Sequence, residues 1–495
     1  MATASAAEVS SRRWIILALM CAGNLFTDFV AFSLSPQSAK FSAVYDIDVS
    51  DMVSIFLAGN VCMSLFVAAI LQRFGLTNSL MFGTVLLLIG NLLKSGIPFL
   101  LENTMAWIFY PAYFFCGASE PFFQISILEV ASQWFPRHER NMAIGSMAAS
   151  GGVGVACAYL LTSLLVQEES DCADYLNGIT VTSAALLVAI AVAFTDGPNR
   201  NKGGPAAKPG GGAAEFGALL RQDLSAACGL LRNFPFMALL LQAAFAEGFT
   251  DAVGTYIDEI YAGLSYSQLR IAAVACGFFL VVLTSAFACG LVVAAQPVPK
   301  RVARGLAGLV NAQTGVAVLT CLLYSTLRGA PSLYGMDLYL LLAGACAGPV
   351  KALGLDLAAQ SQEHAGAPHS TFQICQVEMF VTNLCSLTIL KVFSLFETNT
   401  QGDDFTHSFL FLAIVATCMV FFLVSSYQSA IHALMPKERS AGGEEETAPL
   451  RREEAGERVR RSESRPGALS WDDLGEDRPT ARLGSFSHTA FNLAI

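Results

Sequence analysis

The sequence predicts an all-α membrane protein: twelve transmembrane helices in two pseudo-symmetric bundles of six. Three observations carry this. Hydrophobic residues fill 54% of the 495 positions and charged residues only 14%, where soluble domains hold about a quarter charged residues, so much of the surface must face lipid. Apolar runs of roughly 20 residues, each long enough to cross the hydrocarbon core, recur along almost the whole chain. Finally, one short phrase with an intramembrane aspartate occurs twice, as Phe26-Thr27-Asp28-Phe29-Val30 and as Phe249-Thr250-Asp251-Ala252-Val253.

Taken in order, the runs place spans near 14–35, 50–71, 78–100, 105–133, 141–166 and 176–195, then 236–260, 269–295, 304–327, 336–360, 371–395 and 406–433. The N-terminal bundle is thus 14–195 and the C-terminal bundle 235–434, with 1–13 as a short N-terminus. Between the bundles, 196–234 begins as a Gly/Pro-rich flexible linker. It continues as an amphipathic helix, with Phe216, Leu219, Leu220, Leu224, Leu230, Leu231 and Phe234 at helical spacing around Arg221 and Asp223, expected to lie along the membrane surface. The tail, 435–495, mixes Glu and Arg blocks with Gly, Ser and Pro and is expected to be disordered. Within it, Glu445-Glu446-Thr447-Ala448-Pro449-Leu450 is similar to acidic sorting signals.

Basic residues mark one side of the membrane. Arg12 and Arg13, Arg73, Arg137 and Arg140, Arg200, Lys202, Lys208, Arg221 and Arg232, Lys300, Arg301 and Arg304, and Lys437 and Arg439 fall in alternate connections. The remaining connections are acidic (Asp46, Asp48 and Asp51; Glu168, Glu169, Asp171 and Asp174; Asp403 and Asp404). By the positive-inside rule both termini face the cytoplasm, in the plasma membrane or an endomembrane. The first apolar stretch lacks a small-residue cleavage site and reads as a signal anchor. Of 13 cysteines only Cys172 falls in an external loop, so no disulfide framework is expected. No Cys/His spacing indicates a metal, and no cofactor is expected.

Carboxylates inside a membrane are costly and mark functional positions. Matching acids in two related halves are the layout of a secondary transporter with its site at the repeat interface. Asp28 and Asp251 lie near mid-membrane, as do Glu120 and Lys351 in the fourth and tenth spans. Phe29, Phe32 and Tyr256 follow the aspartates, and a carboxylate beside aromatic faces suits an organic cation. The aspartates could equally cap a break in a helix or pair with Lys351, and Glu120 and Glu378 are further candidates for solute or proton binding. A second repeat, Leu128-Glu129-Val130-Ala131-Ser132-Gln133 and Leu355-Asp356-Leu357-Ala358-Ala359-Gln360, closes the fourth and tenth spans. Its acids read as an inner gate with Arg73, Arg137 and Arg140. Gly151-Gly152-Val153-Gly154 follows no strand and reads as close helix packing rather than a nucleotide loop. Without a Walker motif, ATP-driven pumping and enzymatic chemistry are not expected.

At this point the chain resembles the major facilitator superfamily, and within it the family of the feline leukaemia virus subgroup C receptor. The residues that carry the resemblance are Arg12-Arg13-Trp14, Gly83 to Lys94, Ala118-Ser119-Glu120-Pro121-Phe122, and Ala131-Ser132-Gln133-Trp134-Phe135-Pro136 with Glu139-Arg140. The match is convincing over 12–166 and loose beyond. It implies an alternating-access carrier, in a family proposed to move choline, ethanolamine or haem. Phe29 stands where choline-carrying members have a Trp, Gly151-Gly152 replaces their fifth-span Gln, and Gln72 replaces an acid. Gln373 or Gln376 stands for the family's polar eleventh-span residue. The expectation is a carrier of a small cationic or zwitterionic solute such as choline or ethanolamine. The alternatives are a haem carrier, opposed by the lack of a His in the central spans, and a non-transporting receptor or regulator of the same fold. Expected partners are the solute, the lipid bilayer and coupling protons, with no nucleic acid; the oligomeric state is open.

Overall fold

The computed structural model describes residues 6–95, 106–136, 139–195, 213–262, 266–296, 298–328, 333–364, 371–398 and 405–434. The first half holds α1 (Ala6–Phe32), α2 (Ser38–Tyr45), α3 (Val49–Phe74), α4 (Leu76–Lys94), α5 (Ala106–Gln124), α6 (Ile127–Trp134), α7 (Arg140–Leu165) and α8 (Asp171–Ala193). A connecting helix, α9 (Ala213–Leu231), follows. The second half holds α10 (Phe234–Ala262), α11 (Gln268–Ala294), α12 (Val298–Arg328), α13 (Leu333–His364), α14 (Thr371–Thr398) and α15 (Thr406–Leu434). Arg137, His138 and His369, most of the Gly/Pro linker, and the tail with its acidic signal lie outside the described residues.

Among the described residues, 11 helical segments are long and apolar enough to cross a membrane. The expected fourth span is the exception: it folds as α5 and α6 with a bend after Gln124. Pro111, Pro121, Glu120 and Gln124 dilute its hydropathy. A helix packed among α1, α3 and α4 needs no apolar face toward lipid, so polar residues can collect on it.

Short-range chemistry sets the connections. Asp48 caps α3 by accepting from the Ser50 amide at 2.8 Å, a contact worth about 1 kcal/mol. Gly75 joins α3 to α4 in a single residue at φ 80°, which an L side chain adopts only under strain. Cys172, expected in a loop, is buried in the first turn of α8, because Asp171 accepts from the Gln167 and Glu168 amides and starts the helix early.

The halves share one packing scheme. In the first, α1 packs on α7 and α5, while α5 also packs on α3 and α4, and α4 on α8. In the second, α10 packs on α14 and α13, while α13 also packs on α11 and α12, and α12 on α15. Element for element the two correspond. The halves then meet crosswise, α3 on α14 and α7 on α11. Glycines permit the tight crossings: a Cβ on Gly117 would lie 1.8 Å from the Phe56 carbonyl, and one on Gly348 would lie 2.1 Å from that of Val282. A Cβ on Gly154 would lie 2.0 Å from the Leu25 carbonyl, so the last glycine of the run from Gly151 serves close helix packing.

Helix α9 does not simply float on the surface. It packs on α3, α10 and α14, and Asp223, expected on its polar face, is buried.

Candidate functional site

A cavity of about 140 Å³ lies between the halves. Five carboxylates line it: Asp28 from α1, Glu120 from α5, Glu247 and Asp251 from α10, and Glu378 from α14. Among the described residues, the only basic side chain in the lining is Lys351 from α13. Asn24, Gln124, Thr250, Thr382 and Asn383 add neutral polar groups, and Phe32, Phe56 and Phe279 supply rings. A low-dielectric setting makes each unpaired carboxylate expensive, so this acidic excess needs cations or protons to neutralise it.

Lys351 forms an ion pair with Glu247, and Asp251 and Asp28 are its further charged neighbours. Glu120 has a different environment. Its Oε2 accepts from Asn60 Nδ2 at 2.7 Å and its Oε1 accepts from Gln124, while its charged neighbours are the carboxylates of Asp28, Asp251 and Glu247. Asp28 is pressed against α7: a Cβ on Gly151 would sit 2.2 Å from its Oδ2. Glu378 is buried, and its Oε1 has no hydrogen-bond partner among the described residues.

Asp28, Phe32, Glu120, Asp251, Lys351 and Glu378, singled out from sequence, therefore share one cavity. Three others lie off it. Phe29 packs on Phe26 and Tyr175, since one residue turns a helix by about 100° away from Asp28. Tyr256 packs on Phe393 and Phe405, five residues and about 140° around the helix from Asp251. Gln376 donates to the Leu65 carbonyl across the halves at 2.7 Å. Sequence reasoning missed Glu247, which the spacing to Asp251, one turn on, would have shown. It also missed Asn24, Asn60 and Gln124.

Of the expected gate residues, Arg73, Glu129, Arg140 and Asp356 lie toward helix ends on the terminal face, the face where α1 begins. Asp356 pairs with Arg301 at 3.7 Å, both buried, and accepts from Gln360 at 2.8 Å. Glu129, in the first turn of α6, accepts from Gln133 at 2.6 Å. Arg140 closes the end of that helix, donating to the Ser132 and Phe135 carbonyls at 3.0 and 3.1 Å. Arg13 pairs with Glu139 at 3.0 Å. Arg73 lies in the last turn of α3.

Contacts between the halves occur on both sides of the cavity. Toward the face of α2, Tyr159 donates to the Gly254 carbonyl, Ser38 donates to Asp258 at 3.1 Å, and Lys391 pairs with Asp51. Toward the terminal face, Gln376 reaches Leu65, while Gln373 and Gln72 point their amides at Asp223.

Two pseudo-symmetric six-helix units around a central polar cavity are the architecture of a membrane transporter. The profile of the Major Facilitator Superfamily matches residues 15–377, and the chain belongs to that family. It is 25% identical over 292 residues to "Solute carrier family 49 member A3" of Xenopus tropicalis, covering 57% of this chain and 58% of that one. The protein of the same name from Danio rerio is 26% identical over 271 residues, covering 52% and 54%. The matched region thus spans under three-fifths of these relatives, which represent a branch related to the feline leukaemia virus receptor family. The fold is similar to that of the D-xylose-proton symporter, with a TM-score of 0.60 at 13% identity over 83% of this chain and 97% of that one. A partially occluded, inward-open structure of the xylose transporter from E. coli scores 0.59 at 13% identity, over 84% and 98%.

Proposed function

We propose that the protein carries a small cationic or zwitterionic organic solute, of the size of choline or ethanolamine, across the membrane by alternating access. The observation that supports this most directly is the cavity's charge: five carboxylates face one lysine, and Glu247 already engages that lysine. A cation entering among Asp28, Glu120, Asp251 and Glu378 would relieve repulsion that the protein leaves uncompensated. Breaking the α2-face contacts or the terminal-face contacts in turn would expose the cavity to alternate sides. Glu129 and Asp356, with Arg73, Arg137 and Arg140, form the gate of the terminal face, which is cytoplasmic. Protons are the coupling ion this reading favours, since a surplus carboxylate can bind one.

Haem is the weaker substrate. The cavity of about 140 Å³ is close to one that admits benzene, about 150 Å³, and among the described residues its lining has no histidine. A non-transporting receptor would need no acids at its centre. Uptake of labelled choline, ethanolamine, amino acids and haem into proteoliposomes, with and without a pH gradient, is the deciding experiment. Saturable uptake of an ammonium solute is expected. Uptake of haem alone, or of nothing, would reject the reading.

A further inference from the structure

We propose that the transported cation is a protonated amine, donating its N–H groups to Asn24, Asp28 and Glu120 where the first half mirrors the position of Lys351 in the second. This rests on the cavity being the solute site.

The mirror relation follows from the packing. Helices α5 and α13 are equivalent, and each crosses its neighbour at a glycine, Gly117 at the Phe56 carbonyl and Gly348 at the Val282 carbonyl. Three residues beyond these glycines stand Glu120 and Lys351; the phrase shared by Glu129 and Asp356 runs four residues out of this register, across the bend between α5 and α6. On the equivalent helices α1 and α10, Asn24 and Asp28 correspond to Glu247 and Asp251 through the repeated phrase. In the second half the protein supplies its own ammonium, and Lys351 pairs with Glu247. In the first half the corresponding residues are Glu120 and Asn24, and neither carries a positive charge. The two halves share their helix packing, but an acid stands in place of Lys351 and a neutral amide in place of Glu247.

Asn24 supplies an independent observation. It is 2% exposed, lines the cavity, and its Oδ1 has no donor among the described residues, while its Nδ2 donates to the Met20 carbonyl at 3.2 Å. A buried acceptor left without a donor is costly, and an ammonium N–H entering the cavity would satisfy it. Glu120 retains acceptor capacity beyond Asn60 and Gln124, since a carboxylate offers about four lone-pair sites. A quaternary ammonium has no N–H to offer, and its usual recognition is an aromatic cage. Here Phe32 and Phe279 pack on each other and on Tyr159 instead.

The test is calorimetric binding of ethanolamine, N-methylethanolamine, N,N-dimethylethanolamine and choline to the purified full chain in detergent. Affinity should fall at least tenfold along the series. Asn24→Leu should weaken ethanolamine while leaving choline nearly unmoved, which separates lost hydrogen bonds from the bulk of added methyl groups. Glu120→Gln should weaken ethanolamine tenfold or more, and Glu120→Asp should restore part of it. Glu120→Lys should abolish binding yet unfold at a higher temperature than Glu120→Gln, because its ammonium gains three carboxylate neighbours. Choline binding as tightly as ethanolamine, with uptake of either, overturns the amine inference and leaves the transport reading standing. Failure of all four to bind overturns both.

Discussion

Asp223, on the helix that connects the halves, accepts a hydrogen bond from Gln373 of the second half at 3.0 Å and lies 3.5 Å from the Gln72 amide of the first. One carboxylate thereby ties α3 and α14 together on the terminal face. Hydrogen bonds to a charged group are worth about 1.5–3 kcal/mol. Asp223→Ala should therefore raise the population open to that face by about tenfold or more. Cys375, which lines the cavity and is 1% exposed, is a native reporter. Its alkylation by a water-soluble maleimide, read by mass spectrometry, should speed up in the variant. An unchanged rate would reduce Asp223 to a packing contact.

Three glycines of α7 should respond differently to the same added methyl. At Gly154 the Cβ would meet the Leu25 backbone at 2.0 Å, and backbone cannot step aside. Gly154→Ala should destabilise by about 1–3 kcal/mol. At Gly151 the obstacle is the end of the Asp28 side chain at 2.2 Å, so Gly151→Ala should move that carboxylate, with a larger loss of transport than of stability. A Cβ on Gly145 would meet no other described residue within 4 Å, and Gly145→Ala should be neutral or slightly stabilising. Thermal unfolding in detergent alongside uptake measures all three. Equal effects at Gly151 and Gly154 would sever the link between Gly151 and Asp28.

Arg301 and Asp356 are buried together, at 7% and 2% side-chain exposure. Removing one partner strands a charge and costs about 3–5 kcal/mol, while replacing both with apolar residues can be nearly neutral. Arg301→Met should therefore lower stability more than Arg301→Met with Asp356→Leu. If the pair also gates, Asp356→Asn should accelerate Cys375 labelling while solute binding persists. Lost binding with unchanged labelling would make Asp356 part of the solute site.

Much of this was legible in the sequence, because a bilayer asks for length and hydrophobicity, and both can be counted. The least apolar span was found but not its bend, which comes from the polar and proline residues that its interior position allows. The paired aspartates stood out because a repeated phrase is visible without coordinates. Glu247 escaped notice because its counterpart Asn24 is uncharged, so the repeat failed to flag it. Phe29 and Tyr256 lie near the aspartates along the chain, whereas a helix sorts neighbours by angle, and of these three aromatics only Phe32, four residues after Asp28, reaches the cavity. Asp223 read as a solvated charge because nothing local reveals that Gln72 and Gln373 converge on it.

The orientation proposed from loop charge can be read with inserted tags. Tags before residue 12, near 205 and after 440 should be reached only from the cytoplasm, and one near 170 only from the other side. The same accessibility at 170 and 205 would break the six-plus-six arrangement.

Asp28 and Asp251 bear the heaviest part of the functional proposal. They occupy equivalent positions on α1 and α10, line one cavity, and are both charged neighbours of Lys351. Asp28→Asn and Asp251→Asn preserve shape, so both proteins should fold and reach the membrane, but each removes a charge from a desolvated site. A direct contact with the solute cation is worth about 1.5–3 kcal/mol, roughly tenfold or more in affinity. If the aspartates hold the cation, each variant should lose binding at every pH tested. If they carry the coupling proton instead, binding should survive while accumulation driven by a pH gradient disappears. The two variants need not behave alike, because Asp251 shares its helix with Glu247 and its Lys351 partner, whereas Asp28 has the neutral Asn24 one turn away. Loss of solute binding should therefore be greater for Asp28→Asn. Normal transport by both variants at normal expression would leave the repeated phrase as a helix-packing device.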